Sequence, residues 1–230
     1  MPTTPRAIFH SMRGCLPWVP SPALLAALVA MGLTPTGCRA KAPVIDAPFH
    51  DDFERAELGP DWNATAPAYR VSGGTLTVAG AYNHPAWLRR RLPADAVIDL
   101  DVVSRSPAGD IKIELYGDGR SFDPDKGSYT STGYVLIFGG WNNSLSVICR
   151  QEEHGAGRKA ARQDVRVVPG RSYHFTVTRR GGAIDWAIDG QPFLAWTDPD
   201  PLLGGGHEQL AVNDWEADVS FDNLTIRPAP

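Results

Sequence analysis

Cysteine is nearly missing from this chain: three in 230 residues, at positions 15, 38 and 149. That number cannot build a disulfide framework, so stability has to come from a packed core, which this length allows in one domain. Excess basic charge is missing too. Lys and Arg total 22 against 26 Asp and Glu, net −4, which argues against a nucleic-acid partner held through phosphates. No block of like charges suggests an interaction tail. No apolar run reaches the roughly 20 residues needed to span a bilayer, and no stretch keeps a 3.6-residue period. Catalytic signatures are absent as well: there is no G-x-S-x-G, and His50, His84, His154, His174 and His207 lack metal-ligand spacing. "GGGHE" (204–208) has no helix behind it to cradle a phosphate; it reads as a loop placing His207 and Glu208 near a rim.

What is present begins with an address. Arg6 and Arg13 precede "PALLAALVAMGL" (22–33) and then "TPTGC", a basic start, a short apolar stretch and small residues before a cut point. This segment resembles a bacterial lipoprotein signal, which implies lipidation of Cys38 and a protein anchored in the cell envelope by lipid alone. It departs from that pattern at Pro35, where leucine is favoured, and Met12 is an alternative start to Met1. An ordinary cleaved signal is the competing reading. The expected organisation is a signal at 1–37, a Pro- and Ala-rich tether at 38–48, and one domain at 49–230. Cleavage removes two arginines and no acid, leaving the mature chain more acidic.

That domain consists of short segments separated by turn residues. "GTLTVAG" (74–80), 96–104, 110–117, 133–140, 143–150, 164–168, 172–179, 183–190, 208–214 and 218–226 mostly alternate apolar and polar residues, the mark of strands with one buried face. Asp189-Gly190 between "IDWAI" and "QPFLAW" is a two-residue hairpin signal. The prediction is an all-β antiparallel sandwich. Ile98, Leu100 and Val102, then Ile111, Ile113 and Leu115, then Ile184, Trp186 and Ile188, should face its core. "GYVLIFGG" (133–140) has no polar face; it should be a central strand with its outer side covered. Cys149 should be a buried hydrophobe, Trp186 a core residue and Trp62 an N-terminal plug.

"HDDFERAELGPDWN", "IDGQPFLAW" and the closing "SFDNLTI" make residues 49–227 resemble the concanavalin A-like lectin/glucanase superfamily, especially its secreted bacterial laminarinase-like and 3-keto-glycoside-hydrolase-like domains. The resemblance implies a jelly roll of two curved sheets with ligand lying across the concave one. Many such proteins bind or cut polysaccharides. Laminarinase-like members carry an acid-x-acid strand; here "DIKIE" (110–114) has Lys112 in the middle. At about 3.3 Å per residue, Asp110 and Glu114 stand about 13 Å apart. Retaining glycosidases need about 5–5.5 Å and inverting ones about 6.5–9.5 Å. Asp99 and Asp101 would be about 6.6 Å apart, although a solvated edge of alternating aspartates is the commoner explanation of such a pair. If the protein is an enzyme, Asp110, Lys112 and Glu114 are the residues for it.

Binding is the better-supported expectation. Sugars are held by aromatic faces and by amides, Arg and carboxylates bonding hydroxyl pairs. "YNHPAW" (82–87), "GGWNNS" (139–144), "RQEEHG" (150–155) and "VNDWE" (212–216) supply that mixture. The candidates are Tyr82, Asn83, His84, Trp87, Trp141, Asn142, Asn143, Arg150, His207, Asn213 and Trp215. Trp87 and Trp215 could instead cap the core, and the paired amides could be turn formers. No cofactor is required. Asp51, Asp52, Asp222 and Asn223, brought together by pairing of the chain ends, are hard ligands for a structural calcium, or merely solvated turn residues. The expected protein is a monomeric envelope lipoprotein binding a polysaccharide without cutting it. A glycoside hydrolase or lyase, and an envelope protein-interaction domain, are the alternatives.

Overall fold

Alternation along the chain becomes two stacked antiparallel sheets in the computed structural model, which describes residues 41–121 and 131–230. The strands are β1 (Phe49–Asp51), β2 (Trp62–Ala64), β3 (Tyr69–Ser72), β4 (Thr75–Ala79), β5 (Ala86–Leu88), β6 (Ala96–Ser104), β7 (Ile111–Gly117) and β8 (Tyr134–Gly139). They continue with β9 (Leu145–Arg150), β10 (Arg158–Arg162), β11 (Ser172–Arg180), β12 (Ala183–Ile188), β13 (Gln191–Thr197), β14 (Gln209–Asn213) and β15 (Asp218–Pro228). One sheet runs β13-β12-β11-β6-β15-β4-β3 with β1 added beside β15; the other runs β10-β9-β8-β7-β14-β5-β2. This is the expected jelly-roll sandwich. The signal segment and Cys38 lie outside the described residues.

The core sits between the sheets, where the predicted inward faces of β6, β7 and β12 meet. Phe138 is its aromatic centre, edge-on to Tyr173, Phe175, Trp186 and Phe193, contacts each worth about 0.5–1.5 kcal/mol beyond burial. Trp62 plugs the N-terminal end, its Nε1 donating to Asp51 Oδ2 at 2.8 Å. Asp189 and Gly190 both take positive φ, 52° and 74°, the primed turn that suits a twisted hairpin, and β12 pairs with β13 across it. The chain ends also pair, Asp51 opposite Leu224.

Two expectations need correction. Residues 164–168 form no strand; Val165 and Val167 pack on the core without pairing, and the edge strand is "RKAAR" at 158–162. Alternation there recorded burial, not pairing. The second concerns β7, whose polar residues were expected to face solvent. Lys112 is 2% exposed and Glu114 0%: Glu153, from the chain after β9, covers Lys112, and Thr132 and Gly133, just before β8, close over Glu114. Cover of this kind also explains β8, whose outward Val135 and Ile137 join Val147 and Cys149 in a second apolar cluster under Trp141 and Leu145. Burial pushes the Cys149 thiol up to about 12, with Glu153 adding to the effect; such a thiol is inert.

Candidate functional site: an indole-walled cleft at one end of the seven-stranded sheet

Gly139 ends β8 in a left-handed conformation, φ 70°. A side chain there would collide with Val167 and Asn143 as well, so only glycine serves. Gly140–Asn143 then make one helical turn of the wrong hand for L-residues, with Trp141 at φ 51°, ψ 58° and Asn142 at φ 58°, ψ 49°, closed by Ser144 N donating to Gly140 O at 3.0 Å. Each non-glycine residue in that region costs about 1–2 kcal/mol, least for Asn. Asn143 offsets part of this. Its Oδ1 accepts from Val167 N at 2.8 Å, and its Nδ2 donates to Val167 O and Pro107 O. The turn is thereby stitched to two neighbouring loops, and Trp141 and Asn142 are held over the end of the sheet.

The facing wall is built in the same way. Tyr82, Asn83 and Asp110 also have positive φ, 50°, 63° and 58°. Tyr82 N donates to Trp215 O and Asn83 N to Asp214 O, while Asp214 accepts from Ala81 N at 2.9 Å and Gly80 N at 3.1 Å. Asp110 Oδ2 accepts from Trp215 N at 2.5 Å. Trp215 is left 48% exposed, edge-on to Tyr82 at 5.2 Å, which is itself 52% exposed. Backbone strain gathered on several loops around one cleft is the usual companion of a functional site.

Between the walls lies a cavity of about 530 Å³, lined by Asn83, Asp110, Lys112, Trp141, Asn142, Glu153, His154, Trp215 and Glu216 with Ala108, Ile137 and Ala217. Lys112 forms its floor, donating to Asn83 Oδ1 at 2.5 Å and to Glu153 Oε2 at 3.1 Å, and its Nζ is also 3.1 Å from Glu153 Oε1. Burial opposes the lysine charge, but Glu153 and then Asp110 outweigh it and raise the pKa above the ordinary value. Trp141 carries the Arg158 guanidinium over its ring at 4.1 Å and His154 against its edge.

Asp214 lies just beneath. Its carboxyl is pushed up to about 6, by burial first and then by Asp110, against the amides of Ala81 and Gly80 and the charge of Lys112. A folded value above the ordinary 3.8 means that the folded state holds this proton longer than the unfolded one. The stability it contributes is complete below about pH 4 and drains away as the pH rises to about 6. Asp214→Asn should therefore shrink the stability difference between pH 4.5 and pH 7 by about 2 kcal/mol. Urea unfolding of both proteins at the two pH values checks this; parallel pH dependence of the two would refute it.

Of the residues expected from sequence, the structure brings Asn83, Trp141, Asn142 and Trp215 together with Asp110 and Lys112, and sets Tyr82 beside them. It places the others elsewhere. Trp87 and Asn213 are fully buried, and Asn143 is a brace. His84 turns its Nδ1 to Ala81 O at 2.7 Å. Arg150 sits at the opposite end of β9, paired with Asp198 at 2.8 Å, and His207 lies in the loop before β14, also at that far end. Glu114 accepts from Thr132 N and Gly133 N at 2.8 and 2.7 Å and does not line the cavity. Asp99 and Asp101 belong to the other sheet and hold Thr176 and His174. Sequence reasoning missed Glu153, Asp214 and Glu216. Glu153 stands in "RQEEHG", a segment already singled out, but the residue selected there was Arg150.

The calcium set does not fit. Asp51 is committed to Arg55, Trp62 and the Phe53 amide, Asp222 accepts from Asn223 N, and Asn223 Nδ2 donates to Asp101. Among the described residues no group of three or more His, Cys, Asp or Glu could hold a metal.

The chain matches no protein-family model and no curated protein. Solved structures do match. A carbohydrate-binding module, CBM66, from Bacillus subtilis superposes with TM-score 0.54 at 14% identity, covering 74% of this chain and 98% of the module. The VIP36 exoplasmic/lumenal domain, in its Ca2+/Man3GlcNAc-bound form, gives 0.57 at 10%, covering 74% and 85%. A prokaryotic β-1,3-1,4-glucanase (lichenase) derived from a mouse hindgut metagenome gives 0.55 at 11%, covering 80% and 100%. Identities this low speak of the fold alone, and that one fold carries a carbohydrate-binding module, a domain with Man3GlcNAc bound and a glucanase. The protein has the concanavalin A-like lectin/glucanase fold, an antiparallel two-sheet jelly roll.

Proposed function

We propose that this is a glycan-binding protein of the bacterial cell envelope, tethered through a lipid on Cys38, which holds sugar in the cleft without cutting it. The observation that carries the reading is two partly exposed indoles, Trp141 and Trp215, lining one cavity with a floor of Asn83 and Lys112. Sugar rings present C–H faces for the indoles and hydroxyl pairs for the amide and carboxylate groups. The loops are held in unfavourable backbone conformations before any ligand arrives, so little ordering is left to oppose binding.

The acids of the cleft support holding over cutting. A glycosidase needs one protonated carboxyl and one ionised partner, both in reach of the bond. Asp214 has the raised pKa but is fully buried; Glu153 is tied to Lys112, and Asp110 to the Trp215 amide. Glu114, needed for the hydrolase alternative, is committed to loop amides outside the cavity.

The test is incubation of the purified protein with plant, fungal and bacterial polysaccharides, reading retention and released reducing ends in the same wells. Retention without release is expected. Release of sugar would make the protein an enzyme and Asp110 the first residue to change. Neither outcome, on any glycan, would favour an envelope protein as the partner of this aromatic face.

A further inference from the structure

We infer that the cleft sorts sugars by charge, taking amine-bearing and neutral ones and rejecting uronates; this rests on the glycan-binding reading above. The argument begins with the donors. Lys112 is the ammonium of the lining, and its charge is already spent: one bond goes to Asn83, and both oxygens of Glu153 lie at 3.1 Å. It is buried beneath the cavity, so an incoming carboxylate would have to displace Glu153 to reach it. The Arg158 guanidinium stacks on the Trp141 ring and donates to Glu153 O at 3.0 Å, and Arg158 is not among the residues lining the cavity.

The acceptors are in excess. Asp110, Glu153 and Glu216 line the cavity, with Asp214 below. Their mutual influence is visible in the floor, where Asp110 helps to raise the pKa of both Lys112 and Asp214. A uronate entering this field meets like charge, and the one Lys or Arg lining the cavity, Lys112, is already paired; such juxtapositions cost several kcal/mol at a desolvated interface. An ammonium on the sugar ring meets the reverse. Glu216 is exposed at the rim and Asp110 partly so, and the half-exposed Trp215 ring attracts a cation through its quadrupole, whereas the Trp141 ring already carries Arg158.

The experiment compares β-1,4-linked hexasaccharides differing in charge: glucosamine with free amines, its N-acetylated form, cellohexaose, and a β-1,4-linked oligoglucuronate as the anionic probe. Titration calorimetry at about pH 5.5, where the sugar amines are protonated and exposed carboxylates are still ionised, and at low salt should give the free amine about tenfold tighter binding than its acetylated form, and no binding of the uronate. Raising the salt to 0.5 M should erase most of the tenfold, since rim charges are screened within a few ångströms at that strength. Glu216→Lys, a change at an exposed position, should reverse the order by weakening the amine and admitting the uronate. Equal affinities for all sugars, or uronate binding by the unaltered protein, would overturn the inference and leave the glycan reading standing. No binding of any probe, together with no retention in the polysaccharide panel, would overturn both.

Discussion

Lys112→Met should destabilise the protein by about 3–5 kcal/mol at neutral pH, the usual cost of removing one partner from a buried ion pair. The methionine fills the space well enough; the damage comes from what is left behind. Glu153, 9% exposed, would keep its charge with no cation, in the field of Asp110 and Asp214, and Asn83 would lose the donor that holds its amide. Urea unfolding measures the loss. The companion is Lys112→Met with Glu153→Leu, which removes both charges together and should recover more than half of the stability, because a matched apolar pair carries no orphaned ion. If the double variant is no more stable than the single one, the pair is not what holds the 151–157 loop over the sheet.

Trp215→Ala should abolish retention on any glycan the protein binds, a loss of thirtyfold or more in affinity, about 2 kcal/mol, as expected of an aromatic anchor. The same change should lower stability by only about 1 kcal/mol, since the side chain is half exposed and loses little beyond its edge contact with Tyr82. The bond that positions this residue is made by its backbone amide to Asp110, which alanine keeps. Affinity and stability should therefore separate. Trp141→Ala is the less clean partner experiment: its ring also packs on the apolar cluster of β8 and β9 and carries Arg158, so binding and folding would fall together. Unchanged retention in Trp215→Ala would place the ligand elsewhere on the molecule.

Much of this architecture can be read from the chain alone, for a local reason. Period-two alternation assigns each side chain to a face of its strand, and so Ile98, Leu100, Trp186 and Ile184 could be put in the core without knowing their partners. The Asp189-Gly190 hairpin follows from two residues that tolerate positive φ. Pairing of "HDDF" with "FDNL" came with the resemblance and holds in part: Phe49–Asp51 pairs with Leu224–Ile226, so of those two stretches only Asp51 and Leu224 stand opposite. Trp141, Asn142, Asn83 and Trp215 were identifiable because aromatic and amide residues at strand ends are an unusual combination.

What the tertiary structure decided is which face of a strand is covered, and by what. Alternation says that Lys112 and Glu114 point away from the core; it does not say that the chain after β9 returns across Lys112 and makes it the floor of a cleft, or that Thr132 and Gly133 close over Glu114. Glu153 was hidden for the same reason, because its partner lies 41 positions earlier in the chain. Asn142 and Asn143 are neighbours of the same type, yet one lines the cavity and the other braces Val167; the left-handed turn that separates them is maintained by loops from two other parts of the chain. The sequence by itself determined the strands, their faces and the residue types available for a sugar site. The folding of distant loops onto one end of one sheet decided which of those residues meet, because burial and charge pairing are properties of neighbours in space.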